Sequence, residues 1–183
     1  YGKKFGQVDN IVASAQYKQD VHREHNVGEP VAKMSDATTT VGIENQLKIT
    51  QQLLLLTGAS FNNRSSLTAQ HYNSDAGTID NFPSNHNNAV NVQGALQYSI
   101  DPDNILSLTV ARKTRFATTK DRYSYSMGTA LANPDLKAEY AVNYDLSYKG
   151  NFLDNTLKLY AAAFYSKIYN TILSVNNVAY DSS

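Results

Sequence analysis

Four clusters of side chains in this sequence have residue types that could do chemistry. His22-Arg23-Glu24-His25 sets two imidazoles three positions apart. On a strand those positions point to opposite faces, so the two rings cannot share a metal ion, and the cluster reads as a solvated strand end. His71 and His86 flank a long polar stretch, Gln70–Asn88, where they could help hold a metal chelate or haem or could simply be solvated. Asp101-Pro102-Asp103-Asn104 resembles the start of a calcium loop, but Leu106 stands where such a loop needs Gly and Arg112 where it needs a carboxylate. The fourth cluster runs from Arg112 to Arg122, with Lys113, Arg115 and Lys120 between them and Phe116 and Tyr123 alongside. It suits an anionic ligand or a phosphorylated surface lipid, or plain solvation. Nucleic acid is not expected, because the formal net charge of the chain is +0. Asn63-Arg64-Ser65 has the form of a glycosylation acceptor, which matters only in a eukaryotic secretory route. No Ser/His/Asp arrangement, phosphate-cradling glycine loop or paired-carboxylate signature is present, so the sequence is read as no enzyme and as needing no cofactor.

Composition narrows the class further. With zero Cys there is no disulfide framework, iron–sulfur cluster or thiolate zinc site. The longest apolar run is Leu53-Leu54-Leu55-Leu56, far short of the roughly 18 residues of a membrane helix. Tyr is abundant, 13 residues against no Trp, so the aromatic content is nearly all phenolic. The chain opens at Tyr1-Gly2-Lys3-Lys4 and stops at Asp181-Ser182-Ser183, which reads as a piece of a longer protein.

The elements that must position these clusters are strands. Tyr140, Val142, Tyr144, Leu146 and Tyr148 alternate with Glu139, Ala141, Asn143, Asp145, Ser147 and Lys149. Val90, Val92, Gly94, Leu96, Tyr98 and Ile100 alternate with Asn91, Gln93, Ala95, Gln97 and Ser99. Period two also marks Ile11–Val21, Val41–Ile49, Leu53–Phe61, Leu106–Val110 and Leu157–Ala163, giving about seven strands, many long. Short turns are expected near Thr50-Gln51-Gln52, at Asp101–Asn104 and at Gly150–Asn155. They alternate with long polar connections at Asn26–Asp36, Gln70–Asn88 and Phe116–Lys137. That alternation is the layout of an outer-membrane barrel, with polar residues facing a wet lumen and Tyr suited to the interfacial girdles. The mean hydropathy of -0.44 is compatible, since only half of each strand need be apolar. A soluble β-rich carbohydrate-binding or adhesion module is the rival reading.

Three pieces carry a family resemblance in order and spacing. Arg112-Lys113-Thr114-Arg115-Phe116-Ala117 leads into a long connection, and Asn133-Pro134-Asp135-Leu136-Lys137-Ala138-Glu139 precedes an alternating aromatic strand. Phe164-Tyr165-Ser166-Lys167-Ile168-Tyr169-Asn170-Thr171-Ile172 closes the pattern. This resembles the C-terminal part of the β-barrel of TonB-dependent outer-membrane receptors, with Ala117 and Ala138 where that family commonly has Pro. The resemblance implies an all-β, antiparallel up-and-down meander that forms a segment of a roughly 22-stranded transmembrane barrel. Residues 1–183 would be partial barrel, with the plug domain and the last strands lying outside them. It further implies active uptake of a scarce nutrient (an iron-siderophore, haem, cobalamin or similar) in the outer membrane of a Gram-negative bacterium, with the TonB complex engaged through the absent plug. The expected ligand surface is the inner wall of Gln70–Asn88 and Phe116–Asn133, with His71, Tyr72, His86, Arg115, Arg122 and Tyr123 as candidate contacts. Arg115, Asn133, Pro134, Leu136 and Glu139 are expected to be structural, Glu139 facing the lumen and pairing with Arg112, Lys113 or Arg115. Lipid or lipopolysaccharide would meet the outer wall. Taken alone, the piece is expected to self-associate through its open edges.

Overall fold

The computed structural model describes residues 2–5, 9–123 and 132–173. In chain order these form β1 (Gly2–Phe5), β2 (Asp9–Glu24), β3 (Ala32–Lys48), β4 (Leu53–Asn73), β5 (Thr78–Asn81), β6 (His86–Ser99), β7 (Asn104–Arg115), α1 (Thr119–Tyr123), β8 (Glu139–Phe152) and β9 (Leu157–Tyr169). All pairs are antiparallel, and the sheet order is β1-β2-β3-β4-β6-β7-β8-β9, with β5 attached to the far end of β4. The sheet is open, with β1 at one edge and β9 at the other. Each of the seven alternating segments falls in one of the long strands β2, β3, β4, β6, β7, β8 and β9, with Ile49 and Ile100 one residue beyond the ends of β3 and β6.

The register sorts side chains cleanly. One row runs Leu47, Leu55, Leu96, Leu108, Leu146, Ala163, and two positions along lies Leu53, Tyr98, Leu106, Tyr148, Ala161. These belong to an apolar face. The opposite face carries Ser14, Gln16 and Lys18 on β2, Thr38, Thr40 and Glu44 on β3, Ser60, Asn62 and Arg64 on β4, and Asn143 and Asp145 on β8. Large apolar side chains such as Ile43, Val92, Leu108 and Leu146 stay about half exposed, because no second layer covers them among the described residues. A soluble sandwich would bury that face against another sheet.

The short turns use the chemistry expected of them. The Asp101 carboxylate accepts from Asn104 Nδ2 at 2.8 Å and from the Asp103 amide at 2.9 Å, closing the β6–β7 hairpin. Thr50 Oγ1 accepts the amides of Gln52 and Leu53 at 3.2 and 3.0 Å before β4. Leu153, Asp154 and Asn155 all take positive φ between β8 and β9 (53°, 52° and 67°), conformations that Asp and Asn tolerate better than Leu.

Two long connections are shorter than their polarity suggests. β3 begins at Ala32, inside the stretch Asn26–Asp36, and β4 runs on to Asn73 and pairs with β5 inside Gln70–Asn88. Alternation disappears there because Asp36, Ser65, Ser66, Thr68 and Gln70 lie where neither face is asked to be apolar, although the ladder continues. The third connection, Phe116–Lys137, contains α1, and its residues 124–131 lie outside the described ones.

Candidate functional site

The most buried side chains lie on the polar face, at the far ends of β3 and β4. Register opposes Asp36 to Ser66 and Thr38 to Arg64, next to a bulge between Ser35 and Asp36. The connection after β7 folds back over this corner and forms α1 there. Thr118 caps that short helix: its hydroxyl accepts the Asp121 amide at 3.1 Å, and Asp121 Oδ2 accepts the Thr118 amide at 2.8 Å. This is the reciprocal cap expected of Thr followed three residues later by an acid.

Asp36 is the centre of the corner. Its Oδ2 accepts from the guanidiniums of both Arg64 and Arg122 and from Thr119 Oγ1 at 2.9 Å, while Oδ1 accepts from Ser66 Oγ at 3.1 Å. Arg122 also donates to Ser66 Oγ at 2.7 Å, and Arg64 donates to the carbonyl of Ala117. Arg122 and Tyr123 are each 1 % exposed and Asp36 is 2 % exposed. Two buried cations sharing one carboxylate through several charge-assisted bonds fix the loop in a single pose. Tyr123 packs with Met34 and Ala69 and stacks on Phe82 at 5.3 Å, and Phe82 stacks on His71 at 4.3 Å.

A cavity of about 750 Å³ lies beside this corner, between β2, β3 and the docked loop. Lys18, His22, Thr38, Arg64, Phe116 and Lys120 line it, with Asp20 and Glu24 among them. Lys18 pairs with Asp20 at 2.9 Å and His22 with Glu24 at 3.1 Å, so the wall offers charges of both signs beside an aromatic ring. No group of three or more His, Cys, Asp or Glu able to hold a metal ion occurs among the described residues.

The candidates read from the sequence separate into distinct places. Arg122 and Tyr123 are structural anchors of the loop. His71 belongs to the same aromatic stack on the polar face. His86 lies on the opposite face, bonded to Ser65 Oγ at 2.9 Å. Tyr72 pairs with Ile79 in the β4–β5 hairpin. Arg115 bridges Glu139 at 3.2 Å and Asp121 at 3.3 Å, selecting one of the three expected partners for Glu139. Because Arg115 is about half exposed, Arg115→Met is expected to cost only ~0.5–1 kcal/mol in denaturant unfolding of the complete protein, with the difference shrinking at high salt.

The remaining signature residues act through their backbone. Asn85 donates to the carbonyl of Pro134, Asn87 to that of Leu136 at 3.3 Å, and the Asn133 amide donates to the Arg122 carbonyl at 2.7 Å. The Asn-Pro-x-Leu segment therefore laces the long connection to the start of β6. Asp36 and Lys18 had no motif to announce them, Arg64 stood only in the unrelated Asn63-Arg64-Ser65, and Lys120 lay in the basic run from Arg112 to Arg122. Parity was the available signal, since Arg64 shares its phase with Asn62 and Ser60, and Asp36 with Thr38 and Thr40.

The family described as TonB dependent receptor-like, beta-barrel, matches residues 2–183. This chain belongs to that family. Its wall also resembles the closed form of the ferric-catecholate import receptor Fiu from E. coli K12, with a TM-score of 0.67 at 14 % identity over 91 % of this chain. The chain spans 30 % of the length of that receptor. No curated protein matches it by sequence. The TonB-dependent receptor family is one of transport receptors in the outer membrane of Gram-negative bacteria, not a family of enzymes.

Within a TonB-dependent barrel the polar face is the lumenal wall and the apolar face the lipid wall. The turns at Thr50, Asp101 and Leu153 then mark the periplasmic rim, and the Asp36 corner lies at the outer mouth. Asp36 stands twelve positions beyond Lys48, roughly 40 Å along a strand and ~30 Å in height at a ~40° tilt. That clears the ~25 Å apolar band.

Proposed function

We propose that this chain is the ligand-facing wall segment of a complete outer-membrane receptor that takes up a scarce nutrient by TonB-driven transport, and that the nutrient is an iron chelate. The plug and the contact with the TonB complex belong to parts of the receptor outside residues 1–183. Edge strands β1 and β9 continue into neighbouring strands of the whole barrel. A separated piece would instead pair through them with another copy.

One observation carries this reading: a loop from the outer end of β7 is clamped back onto the polar wall by Asp36, and leaves a cavity open beside it. A mobile external loop would have no need of a buried double ion pair. A loop forming one side of a binding chamber does, because preorganisation lowers the ordering cost of binding. The chamber holds Lys18, His22, Lys120 and Phe116, a mixture suited to a chelate with anionic oxygens and planar rings. In this arrangement Arg122, Tyr123 and His71 shape the chamber from behind and Arg115 braces its rim, while Tyr72 and His86 lie away from it.

The test is uptake. A strain lacking the complete gene is expected to lose growth on a ferric chelate as sole iron source, and to regain it with the wild-type gene. Lys18→Gln with Lys120→Gln should raise the concentration needed for half-maximal uptake roughly tenfold without changing receptor abundance. Loss of growth on haem or cobalamin alone would keep the transport reading and replace the ligand. Unchanged uptake of every nutrient in the deletion strain would refute the proposal.

A further inference from the structure

The lipid wall of β7, β8 and β9 carries a feature that transport leaves unused. Register places Arg112, Val142 and Lys167 in one row. The row above it is Thr114, Tyr140 and Tyr169, and the row below is Val110, Tyr144 and Tyr165. All nine side chains share the apolar face. Two cations are therefore set into a frame of four tyrosines on a surface that is otherwise uncharged and mostly apolar.

Both cations are held by rings. The Arg112 guanidinium lies 4.3 Å from the Tyr140 centroid, and Tyr140 stacks on Tyr169 at 4.8 Å. The Lys167 ammonium lies 5.2 Å from the Tyr169 centroid. Arg112 also donates to the Val90 carbonyl, which leaves most of its five N–H groups unspent. Neither cation takes part in any ion pair among the described residues. The acids of the neighbouring strands, Glu139 and Asp145, have the opposite parity and face the lumen. Arg112 and Lys167 are the charged side chains on the outward face of β6, β7, β8 and β9 among the described residues.

Depth adds a second constraint. The row lies six positions above Leu106 and Tyr148, about 15 Å in height at a ~40° tilt, in the outer half of the ~25 Å band. A cation this close to lipid needs an anion or water, and long stems of Arg and Lys reach upward to the headgroup level. Their strands are two apart, roughly 10 Å, a span over which both side chains can converge on one tetrahedral anion. We propose that Arg112 and Lys167 clamp the phosphate of an outer-leaflet glycolipid, with Tyr140 and Tyr169 forming the floor beneath its sugar. The inference rests on the barrel reading given above and not on the identity of the nutrient. Charge complementarity on a lipid-facing wall favours a lipid-linked phosphate over a free one.

The experiment uses the complete receptor purified in detergent, with lipid A and its dephosphorylated counterpart as probes. The wild type is expected to retain lipid A through repeated detergent washes, as read by native mass spectrometry. R112Q/K167Q should retain roughly tenfold less, and K113Q, one position away on the lumenal face, should match the wild type. K167Q alone, at an exposed position, should show a partial loss and covers the case in which R112Q fails to assemble. Dephosphorylated lipid A should be retained poorly by every form. Equal retention of the two lipids, or equal retention by wild type and K167Q, overturns the clamp and leaves an ordinary aromatic girdle. Displacement of lipid A by millimolar inorganic phosphate overturns the choice of a lipid source. Nutrient uptake by R112Q/K167Q and K167Q should stay within about twofold of wild type, because both changes leave lumenal contacts untouched. Failure of the receptor to insert into membranes at all would instead remove the barrel reading itself.

Discussion

Replacing Asp36 with Asn is expected to release α1 from the lumenal wall. The wild-type carboxylate is shared by Arg64 and Arg122, and Arg122 is 1 % exposed. Removing one partner of a buried charge network costs about 3–5 kcal/mol, since the remaining charges are left desolvated and unpaired. A helix of five residues has no stability of its own to resist this. The loss should be local, because the ladders of β3 and β4 do not depend on the loop. Amide exchange over residues 117–123 should accelerate by roughly a hundredfold to a thousandfold, while the amides of β6 to β8 keep their protection. Unchanged protection of α1 in D36N would show that the apolar contacts of Tyr123 suffice.

The same carboxylate gives the corner a pH dependence. Burial alone would push Asp36 up, but the hydrogen bonds and charges of Arg122 and Arg64 outweigh it and hold the group below its ordinary value. Asp121 behaves alike: burial raises it, and the Thr118 bonds with the Arg115 charge bring it below its ordinary value. A depressed carboxyl stabilises the folded state above its unfolded pKa, near ~3.9, and loses that contribution as pH falls through the lower folded value. Docking of α1 should therefore be constant from neutral pH to about pH 4 and weaken only below it. Residues 1–183 hold no Trp, and Phe82→Trp places a fluorescent reporter beside Tyr123, read in the complete receptor against the same receptor without that substitution. A transition centred between pH 5 and 7 would contradict the assignment.

Val110→Arg is expected to be the most damaging single change to the wall, and Thr109→Arg one of the mildest. The two positions are adjacent but belong to opposite faces: Val110 opposes Gly94 and Tyr144, and Thr109 opposes Ala95 and Asp145. Val110 lies midway between the row of Tyr148 and the row of Tyr140, which is mid-bilayer. A lipid-facing Arg at that depth costs about 2–4 kcal/mol. At position 109 the new guanidinium would meet water and the Asp145 carboxylate, so a change within ~0.5 kcal/mol is expected. Denaturant unfolding of the complete receptor in lipid vesicles measures both. Equal penalties would mean that both faces are wet or both are buried, and the assignment of lumen and lipid would fall.

The strands were legible because lipid and lumen impose opposite demands on neighbouring residues, and Tyr140–Tyr148 records those demands at every position. The Arg115–Glu139 pair was also legible. The two residues flank one connection, and their register follows once β7 and β8 are phased. The Asp36 corner was not. Asp36 and Arg64 are 28 residues apart, and Asp36 and Arg122 are 86 apart, so no local pattern joins them. Above the lipid band the alternation that identifies a strand also fades, which hid the outer parts of β3 and β4. Arg112 shows a different limit. It stands in a basic run whose other members face the lumen or the loop, and only the paired register reveals that its side chain meets lipid.

The sheet order follows the chain order, with each of the long strands lying beside its neighbours in sequence. Such a wall has low contact order, so every ladder can close as a hairpin without a search for a distant partner. Loop-closure entropy is then met in small instalments instead of one large one. The longest-range exception is the contact between Asp36 and Arg122, which spans three hairpins. It can form only after β4, β6 and β7 have aligned, so the outer loop locks down as the last event on a wall already built. A hairpin gained or lost between β4 and β7 over evolutionary time would leave every other register intact yet move Arg122 out of reach of Asp36.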